Sequence, residues 1–182
     1  MTFLLADRCT RLLRGARCGD REAFRALYSE LHPRVYAFAA RRTRSREDAE
    51  DVSARVFQAL LEQLASIDEE RGVLPWALAV ARNLLIDAAR AQRPSAPESE
   101  LAAALVESRT PLGDLLAREQ LAQIEALPSE DRELIALRHA DGLRHREIAH
   151  LLGISESAVR QRLSRALRGL RQSQEGELAH DP

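Results

Sequence analysis

The sequence REIAHLLGISESAVRQRLSRALRGLR, residues 146–171 of a chain of 182 residues, determines the fold of the C-terminal part. Its first half carries the apolar spacing of a short helix, which stops at Gly153. Glycine ends helices well because it adopts the left-handed conformation without strain. Ser155 then offers a hydroxyl group that caps the start of a second helix. The stretch therefore predicts two short helices joined by a tight turn.

The second helix has two distinct faces. Its apolar residues share one side, and the small residue Ala149 allows the first helix to cross close to it. Val159 fills the gap between the helices, so the pair is predicted to be a helix-turn-helix. The apolar face consists of Val159, Leu163, Ala166, Leu167 and Leu170. The outward face consists of Ser157, Gln161, Ser164, Arg165 and Arg168, with Arg160 and Arg162 on its flanks.

Positive charge is concentrated in this segment. Between Arg144 and Gln172 there are seven arginines and two glutamates, a net charge of +5, whereas the whole chain carries −1. This pattern predicts that the second helix enters a major groove of DNA, with bases near its N-terminus and phosphates near its arginines. A charged outer face on an ordinary helical bundle is the competing interpretation. The predicted DNA-binding residues are Ser157, Arg160, Gln161, Ser164, Arg165 and Arg168.

Composition excludes several classes of protein. All 27 basic residues are arginine, and Cys9 and Cys18 are the only cysteines, without a CxxC pattern. The sequence contains no phosphate loop, no G-x-S-x-G and no H-E-x-x-H, so we expect no enzyme, no metal site and no cofactor. The N-terminal FLLA is too short for a signal peptide, and no apolar run approaches a membrane span. We therefore expect a cytoplasmic protein without membrane insertion.

Helical periodicity extends along almost the whole chain. We predict that a first helix ends near Gly19, that Pro33 opens a separate helix, and that Pro75 starts another. In this last helix Leu74, Ala77, Leu78, Ala81, Leu84, Leu85 and Ala88 are predicted to be buried. The predicted N-caps of three further helices are Asp20, Ser45 and Ser129.

Proline and serine interrupt the helical pattern once. Pro94, Pro97 and Pro111 predict a linker over residues 94–113. The predicted fold is all-α, with two small helical domains joined by a flexible linker, the second ending in the helix-turn-helix. The domains are predicted over residues 1–93 and 114–172. Residues 173–182 are predicted to be a disordered tail.

Three segments together resemble the bacterial RNA polymerase sigma factors. Two resemble sigma region 2: GDREAFRALYSELHPRVYAFAARRTRSREDAEDVSARVFQALL, residues 19–61, and PWALAVARNLLIDAARAQRP, residues 75–94. The third, ALPSEDRELIALRHADGLRHREIAHLLGISESAVRQRLSRALRGLR, residues 126–171, resembles region 4. Their order resembles the extracytoplasmic-function group, which keeps only these two regions. The resemblance covers roughly residues 12–171.

The resemblance implies sites in both regions. It implies that the acidic residues Asp48, Glu50 and Asp51 dock on the clamp coiled coil of the largest polymerase subunit. Ordinary capping of a helix start also explains these residues. It implies that the minus-10 element is contacted by Trp76, Arg82, Asn83, Asp87 and Arg90. Packing of the tryptophan, and an ion pair between Asp87 and a neighbouring arginine, are the competing interpretations.

One departure from the family pattern concerns the docking helix. Family members usually carry Gln-Glu after the acidic run, but here Ala54 and Arg55 stand in that place. The partners implied by the resemblance are core RNA polymerase, promoter DNA and an anti-sigma factor. The chain is thus predicted to be an alternative sigma factor that performs no covalent chemistry. A stand-alone helix-turn-helix regulator that dimerises on an operator is the main alternative, and a protein-interaction module is a third.

Overall fold

The computed structural model describes residues 2–92, 124 and 126–178, with side chains described from residue 8 to residue 170 of those ranges. The described elements are α1 (Thr2–Arg17), α2 (Arg21–Ala40), α3 (Arg46–Gln63), α4 (Val73–Gln92), α5 (Ser129–Ile135), a π-helical turn (Ala136–Ala140), α6 (His145–Leu152) and α7 (Glu156–Leu178). The chain forms two compact units, Met1–Arg109 and Thr110–Pro182. Every regular element in the described part is helical, which confirms the predicted all-α class with two helical units.

The predicted linker, residues 94–113, lies outside the described residues and stays a prediction, although the division between the units falls within it. The predicted tail needs a correction, because α7 continues to Leu178 and residues 173–178 are therefore helical. Within the described ranges no helix has the length and apolar character needed to span a membrane.

In the first unit, α2 supplies the central stripe of the core. Leu27, Leu31, Val35 and Phe38 are all fully buried at helical spacing. The helix begins where predicted, since the Asp20 carboxylate accepts hydrogen bonds from the backbone N–H groups of residues 22 and 23, at 2.9 and 3.1 Å. This confirms the N-cap and fixes the direction in which α2 leaves α1.

The prediction that Pro33 opens a separate helix is wrong. Pro33 lies inside α2, which continues from Arg21 to Ala40 without a break. A proline within a helix removes one hydrogen bond and costs about 3 kcal/mol or more. The buried stripe runs on both sides of Pro33, with Leu31 before it and Val35 after it. Burial of this continuous stripe outweighs the local cost of the proline.

The helices α3 and α4 complete the first core. The Ser45 hydroxyl accepts a hydrogen bond from the backbone N–H of Asp48 at 3.0 Å, which confirms that cap. The helix α4 begins at Val73, two residues before the predicted start. Ala88, predicted to be buried, is exposed, and Ile86 is the last buried residue of α4. The last turn of α4 therefore extends beyond the core, which periodicity alone does not reveal.

The second unit has its own apolar core. It is formed by the fully or nearly fully buried residues Leu134, Leu137, Leu143, Ile148, Val159 and Leu163. The predicted N-cap at Ser129 is wrong, because Ser129 is the first residue of α5 and Pro128 holds the cap position. The Pro128 carbonyl accepts hydrogen bonds from the backbone N–H groups of residues 131 and 132. The helix start lacks a side-chain cap and instead has two acidic residues in its first turn, Glu130 and Asp131.

Candidate nucleic-acid interface

The turn between α6 and α7 has the geometry predicted from the sequence. Gly153 adopts φ 66° and ψ 28°, in the left-handed region, and its backbone N–H donates to the Ala149 carbonyl. The Ser155 hydroxyl accepts a hydrogen bond from the backbone N–H of Ala158 at 3.1 Å. These contacts end α6 and start α7 within four residues. The helix-turn-helix is therefore confirmed as a structure.

Packing between the two helices also follows the prediction. Val159 is fully buried, as is Ile148 on α6, and Ala149 is buried as well. Further along α7, Leu163 and Ala166 are buried. This apolar face holds α7 against the rest of the second unit and leaves the opposite face accessible.

The outward face of α7 consists of the predicted residues, and all of them are exposed: Ser157, Arg160, Gln161, Ser164, Arg165 and Arg168. Their side chains differ in what they contact. Arg160 pairs with Glu156 at 3.4 Å, and the Arg168 Nε donates to the Ser164 carbonyl at 3.3 Å. In the described part of the chain, Gln161 and Arg165 make no side-chain hydrogen bond or ion pair. The Ser164 hydroxyl also has no hydrogen-bond partner there, so these three side chains are the most available to a ligand.

The helix α4 brings together four of its five predicted residues. Trp76, Asn83, Asp87 and Arg90 lie at intervals of seven, four and three residues, which places them on one face. Arg82 lies about 100° around the helix from Asn83 and is half-buried. The Arg90 Nη1 lies 3.2 Å from the Asp87 Oδ1, so the ion pair considered from the sequence is present.

The helix α3 exposes its three predicted acidic residues. Glu50 pairs with Arg46 at 2.7 Å, and the hydrogen bond and charge of Glu50 raise the pKa of Arg46 above its usual value. Asp51 lies 4.0 Å from Arg55, the residue that departs from the family pattern. Asp48 is exposed beside them. The arginines of α3 thus partly neutralise the acidic surface that the resemblance assigns to docking.

Sequence reasoning missed one group of contacts, between α1 and the loop that joins α3 to α4. The Arg17 guanidinium donates to the Leu64 carbonyl at 2.8 Å, to the Ile67 carbonyl, and to the Glu69 carboxylate at 2.6 Å. The Arg14 Nε donates to the second Glu69 oxygen at 2.7 Å. The partners are about fifty positions apart along the chain, so no local spacing indicates them.

The described residues contain no group of three histidine, cysteine, aspartate or glutamate side chains that could hold a metal ion. The exposed amide, guanidinium and carboxylate groups of these surfaces can recognise a partner through hydrogen bonds and charge. An exposed, net-positive helix after a glycine turn is the arrangement that proteins use in the major groove. The comparisons with known proteins agree with this interpretation.

Two protein-family models match the chain: Sigma-70 region 2 over residues 27–94, and Sigma-70, region 4 over residues 118–170. The sigma factor SigL of Mycobacterium tuberculosis is 33% identical over 86% of this chain and 92% of its own length. CarQ, an RNA polymerase sigma factor of Myxococcus xanthus, is 30% identical over 86% of this chain and 91% of its own length. Probable sigma factor RfaY of Xanthomonas campestris is 32% identical over 83% of this chain but only 40% of its own length.

Solved structures share the fold. CnrH, in complex with the cytosolic domain of CnrY, superposes with a TM-score of 0.61 at 24% identity, covering 94% of this chain and 98% of that one. Sigma factor RpoE of Bartonella quintana, in complex with the anti-sigma factor NepR, gives a TM-score of 0.60 at 19% identity, covering 82% and 94%.

The chain belongs to the sigma-70 family of RNA polymerase sigma factors. Within that family it is an extracytoplasmic-function sigma factor, an alternative sigma factor that directs promoter recognition with RNA polymerase. The family consists of transcription initiation factors rather than catalytic enzymes. The match of region 2 to residues 27–94 also removes support for the stand-alone regulator, which needs only the helix-turn-helix.

Proposed function

We propose that α7 recognises the minus-35 element by contacting bases through Ser157, Gln161 and Ser164, and phosphates through Arg160, Arg165 and Arg168. The observation that carries this proposal is the exposure of Gln161 and Arg165 without a side-chain partner in the described residues. A glutamine amide can pair with both N6 and N7 of adenine, which gives sequence discrimination. A guanidinium free of internal ion pairs contacts a phosphate without first losing another partner.

The test is a binding series with the holoenzyme on promoter variants that differ only in the minus-35 element. Gln161→Ala should remove discrimination at one base position, a loss of about 1–3 kcal/mol if the contact is bidentate. Binding to the already mismatched variants should change little. Glu156→Ala is the control for sequence discrimination, because loss of its ion pair with the proposed phosphate contact Arg160 should change the affinity for all variants alike. Equal weakening on every variant would show that Gln161 does not recognise bases.

For the minus-10 element, we propose that the face of α4 with Trp76, Asn83, Asp87 and Arg90 contacts the DNA, and that Arg82 contributes from its flank. Asn83 is exposed and offers an amide to base edges, and Trp76 is half-buried, which leaves part of the ring for stacking. The Asp87–Arg90 pair keeps one carboxylate from repelling phosphates. Asn83→Ala should therefore slow promoter opening more than it weakens binding of core polymerase.

For docking on core polymerase, we propose the exposed face of α3 that carries Asp48, Glu50 and Asp51. Leu61 lies on the same helix with 58% of its surface exposed, so acidic and apolar contacts are both available. Such a face suits a partner helix that carries basic and apolar residues. The basic residue Arg55 lies within the proposed face and opposes this charge complementarity.

Charge substitutions test the docking surface directly. Asp48→Arg combined with Asp51→Arg should weaken core binding in a fluorescence titration, while DNA binding by the second unit stays intact. Arg55→Glu, which restores the family charge, should strengthen it by about 0.5–1 kcal/mol, or two- to fivefold. Arg25→Glu, a charge reversal on α2, is the control. If the affinity for core polymerase is unchanged by Asp48→Arg with Asp51→Arg and by Arg55→Glu, core polymerase docks on another surface.

We also propose that an anti-sigma factor binds the first unit and competes with core polymerase. This is supported by the relative from Bartonella quintana, which was solved with its anti-sigma factor. The chain is proposed to act in the cytoplasm, where core polymerase and promoter DNA are found, and to perform no covalent chemistry itself. A competition assay between core polymerase and a candidate inhibitor tests the shared surface.

A further inference from the structure

We infer that Arg17, on the N-terminal helix α1, is a positioning residue for promoter opening, because it fixes the loop that leads into α4. This inference rests on the proposed role of α4 at the minus-10 element. We refer to residues 64–72, between α3 and α4, as the α3–α4 loop. The loop ends at Gly72, whose carbonyl accepts a hydrogen bond from the backbone N–H of Trp76. Its conformation therefore determines where the first turn of α4 lies.

Arg17 fixes the backbone of this loop at two points. Its guanidinium donates to the carbonyls of Leu64 and Ile67, and Ile67 itself is buried. A guanidinium holds several acceptors in a rigid, planar arrangement, which a single ammonium group cannot reproduce. The side chain of Arg17 is only 23% exposed, so these bonds are shielded from competing water. This is a stronger restraint than an exposed ion pair of the same charge.

Glu69 extends the restraint to a side chain of the loop. Its two oxygens accept from Arg17 at 2.6 Å and from Arg14 at 2.7 Å. Asp68 organises the next residues, because its carboxylate accepts from the Glu70 backbone N–H at 2.9 Å and pairs with Arg71 at 3.2 Å. The arginines also offset the loop carboxylates, which would otherwise repel DNA phosphates beside α4.

Arg14 provides a matched control within the same contact group. It contacts Glu69 from the same end of α1 but, within the described residues, makes no hydrogen bond to the loop backbone, and its side chain is 69% exposed. Arg14→Ala and Arg17→Ala each remove one positive charge near α4. Long-range attraction to DNA would fall equally in both variants. Only the loss of Arg17 releases the Leu64 and Ile67 carbonyls.

The experiment uses the full chain bound to core polymerase on a promoter that the unaltered holoenzyme selects from a randomised library. Arg17→Ala should lower permanganate reactivity of the minus-10 segment about tenfold, as expected for a misplaced contact group. Its core affinity and minus-35 binding should stay within about twofold. Arg14→Ala should stay within about twofold in all three measurements, because exposed ion pairs contribute little.

Two further variants keep the inference open to refutation if Arg17→Ala fails to fold. Arg17→Lys should give an intermediate loss of opening, and Glu69→Gln a small one, since both backbone contacts of Arg17 remain in the latter. An equal loss of opening in the Arg14 and Arg17 variants, or a parallel loss of core affinity, overturns the inference.

Asn83→Ala in the same assay distinguishes a failure of this inference from a failure of the proposed role of α4. If Asn83→Ala impairs opening and Arg17→Ala does not, Arg17 has no positioning role. If neither has an effect, the proposed role of α4 falls with it.

Discussion

Arg162 on α7 pairs with Glu130 on α5, with 2.8 Å between the Arg162 Nη1 and the Glu130 Oε2. This ion pair links the second helix of the helix-turn-helix to α5 in the same unit. It also distinguishes Arg162 from Arg165, which lies one turn further along α7 and has no side-chain partner among the described residues. The two arginines therefore differ in what they contact, in agreement with the predicted places of Arg162 on the flank and Arg165 on the outward face.

The salt dependence of promoter binding should distinguish these two arginines. Arg165→Ala should reduce the slope of log affinity against log salt by about one unit, because one phosphate contact is lost. Arg162→Ala should leave that slope unchanged and instead lower the free energy of unfolding by about 0.2–1 kcal/mol. Binding titrations at several salt concentrations, with urea unfolding of each variant, provide both measurements. A reduced slope for Arg162→Ala alone would reverse the assignment.

Substitution of Gly153 should act through the backbone alone. A Cβ atom added at this position meets no atom within 4 Å, so the cost comes from its φ of 66°. Gly153→Val should lower the free energy of unfolding by about 1–2 kcal/mol and weaken binding to every DNA sequence alike. Gly169→Ala is the control, since Gly169 is helical and also has open space around it. Thermal unfolding should show this control to be neutral or stabilised by about 0.4–1 kcal/mol.

The two cysteines should react at very different rates with a thiol reagent. Cys9 is buried and Cys18 is exposed. Burial, with a smaller contribution from Glu30, raises the pKa of the Cys9 thiol above its usual range, and Arg34 and Arg8 oppose this only in part. Cys18 should label at neutral pH in the native protein, whereas Cys9 should label only after unfolding.

The same raised pKa has a consequence for stability. The Cys9 thiolate forms more readily in the unfolded chain than in the folded protein. The contribution of Cys9 to the free energy of unfolding is therefore complete below the pKa of the unfolded chain, and it is lost as the pH rises through the pKa of the folded protein. Cys9→Ala should therefore flatten the decline of the free energy of unfolding in alkaline solution. An unchanged decline in this variant would show that another group titrates there.

Limited proteolysis should test the predicted linker at residues 94–113. Trypsin cuts after arginine except before proline, so Arg109, which precedes Thr110, is the tryptic site within this stretch, whereas Arg93 precedes Pro94. Brief digestion should give two stable fragments that correspond to the two compact units. Mass spectrometry of the fragments identifies the sites of cleavage. A chain that resists cleavage throughout residues 93–113 would contradict the linker.

The sequence predicted those features that depend on neighbouring residues. Gly153 and Ser155 define the turn by local rules, and the structure has the left-handed glycine and the capping hydroxyl that these rules require. The cap at Asp20 was predictable for the same reason. The exposure of the outward face of α7 follows from its period once one buried residue, such as Val159, is fixed.

The predictions were wrong where tertiary packing, and not the local sequence, determines the helix boundaries and the burial of side chains. The preference of Pro33 for a helix start was overridden by the buried stripe around it. Ala88 keeps the period of a buried residue but lies where α4 has passed the end of the core. The contacts of Arg17 with the α3–α4 loop join segments about fifty residues apart, so no spacing rule applies to them. Local patterns thus identify elements, whereas the long-range contacts that position them require the structure.

The distance along the chain between Arg17 and Glu69 also affects the order of events during synthesis. The two residues are 52 positions apart. At a synthesis rate of about 5–20 residues per second, the ribosome needs about 3–10 s to add the residues between them. During most of this interval α1 and α2 can pair, but the first of the three loop acceptors of Arg17, the Leu64 carbonyl, is added only 47 positions after Arg17. The growing chain therefore acquires the ordered start of α4 as one of the last steps in folding its first unit.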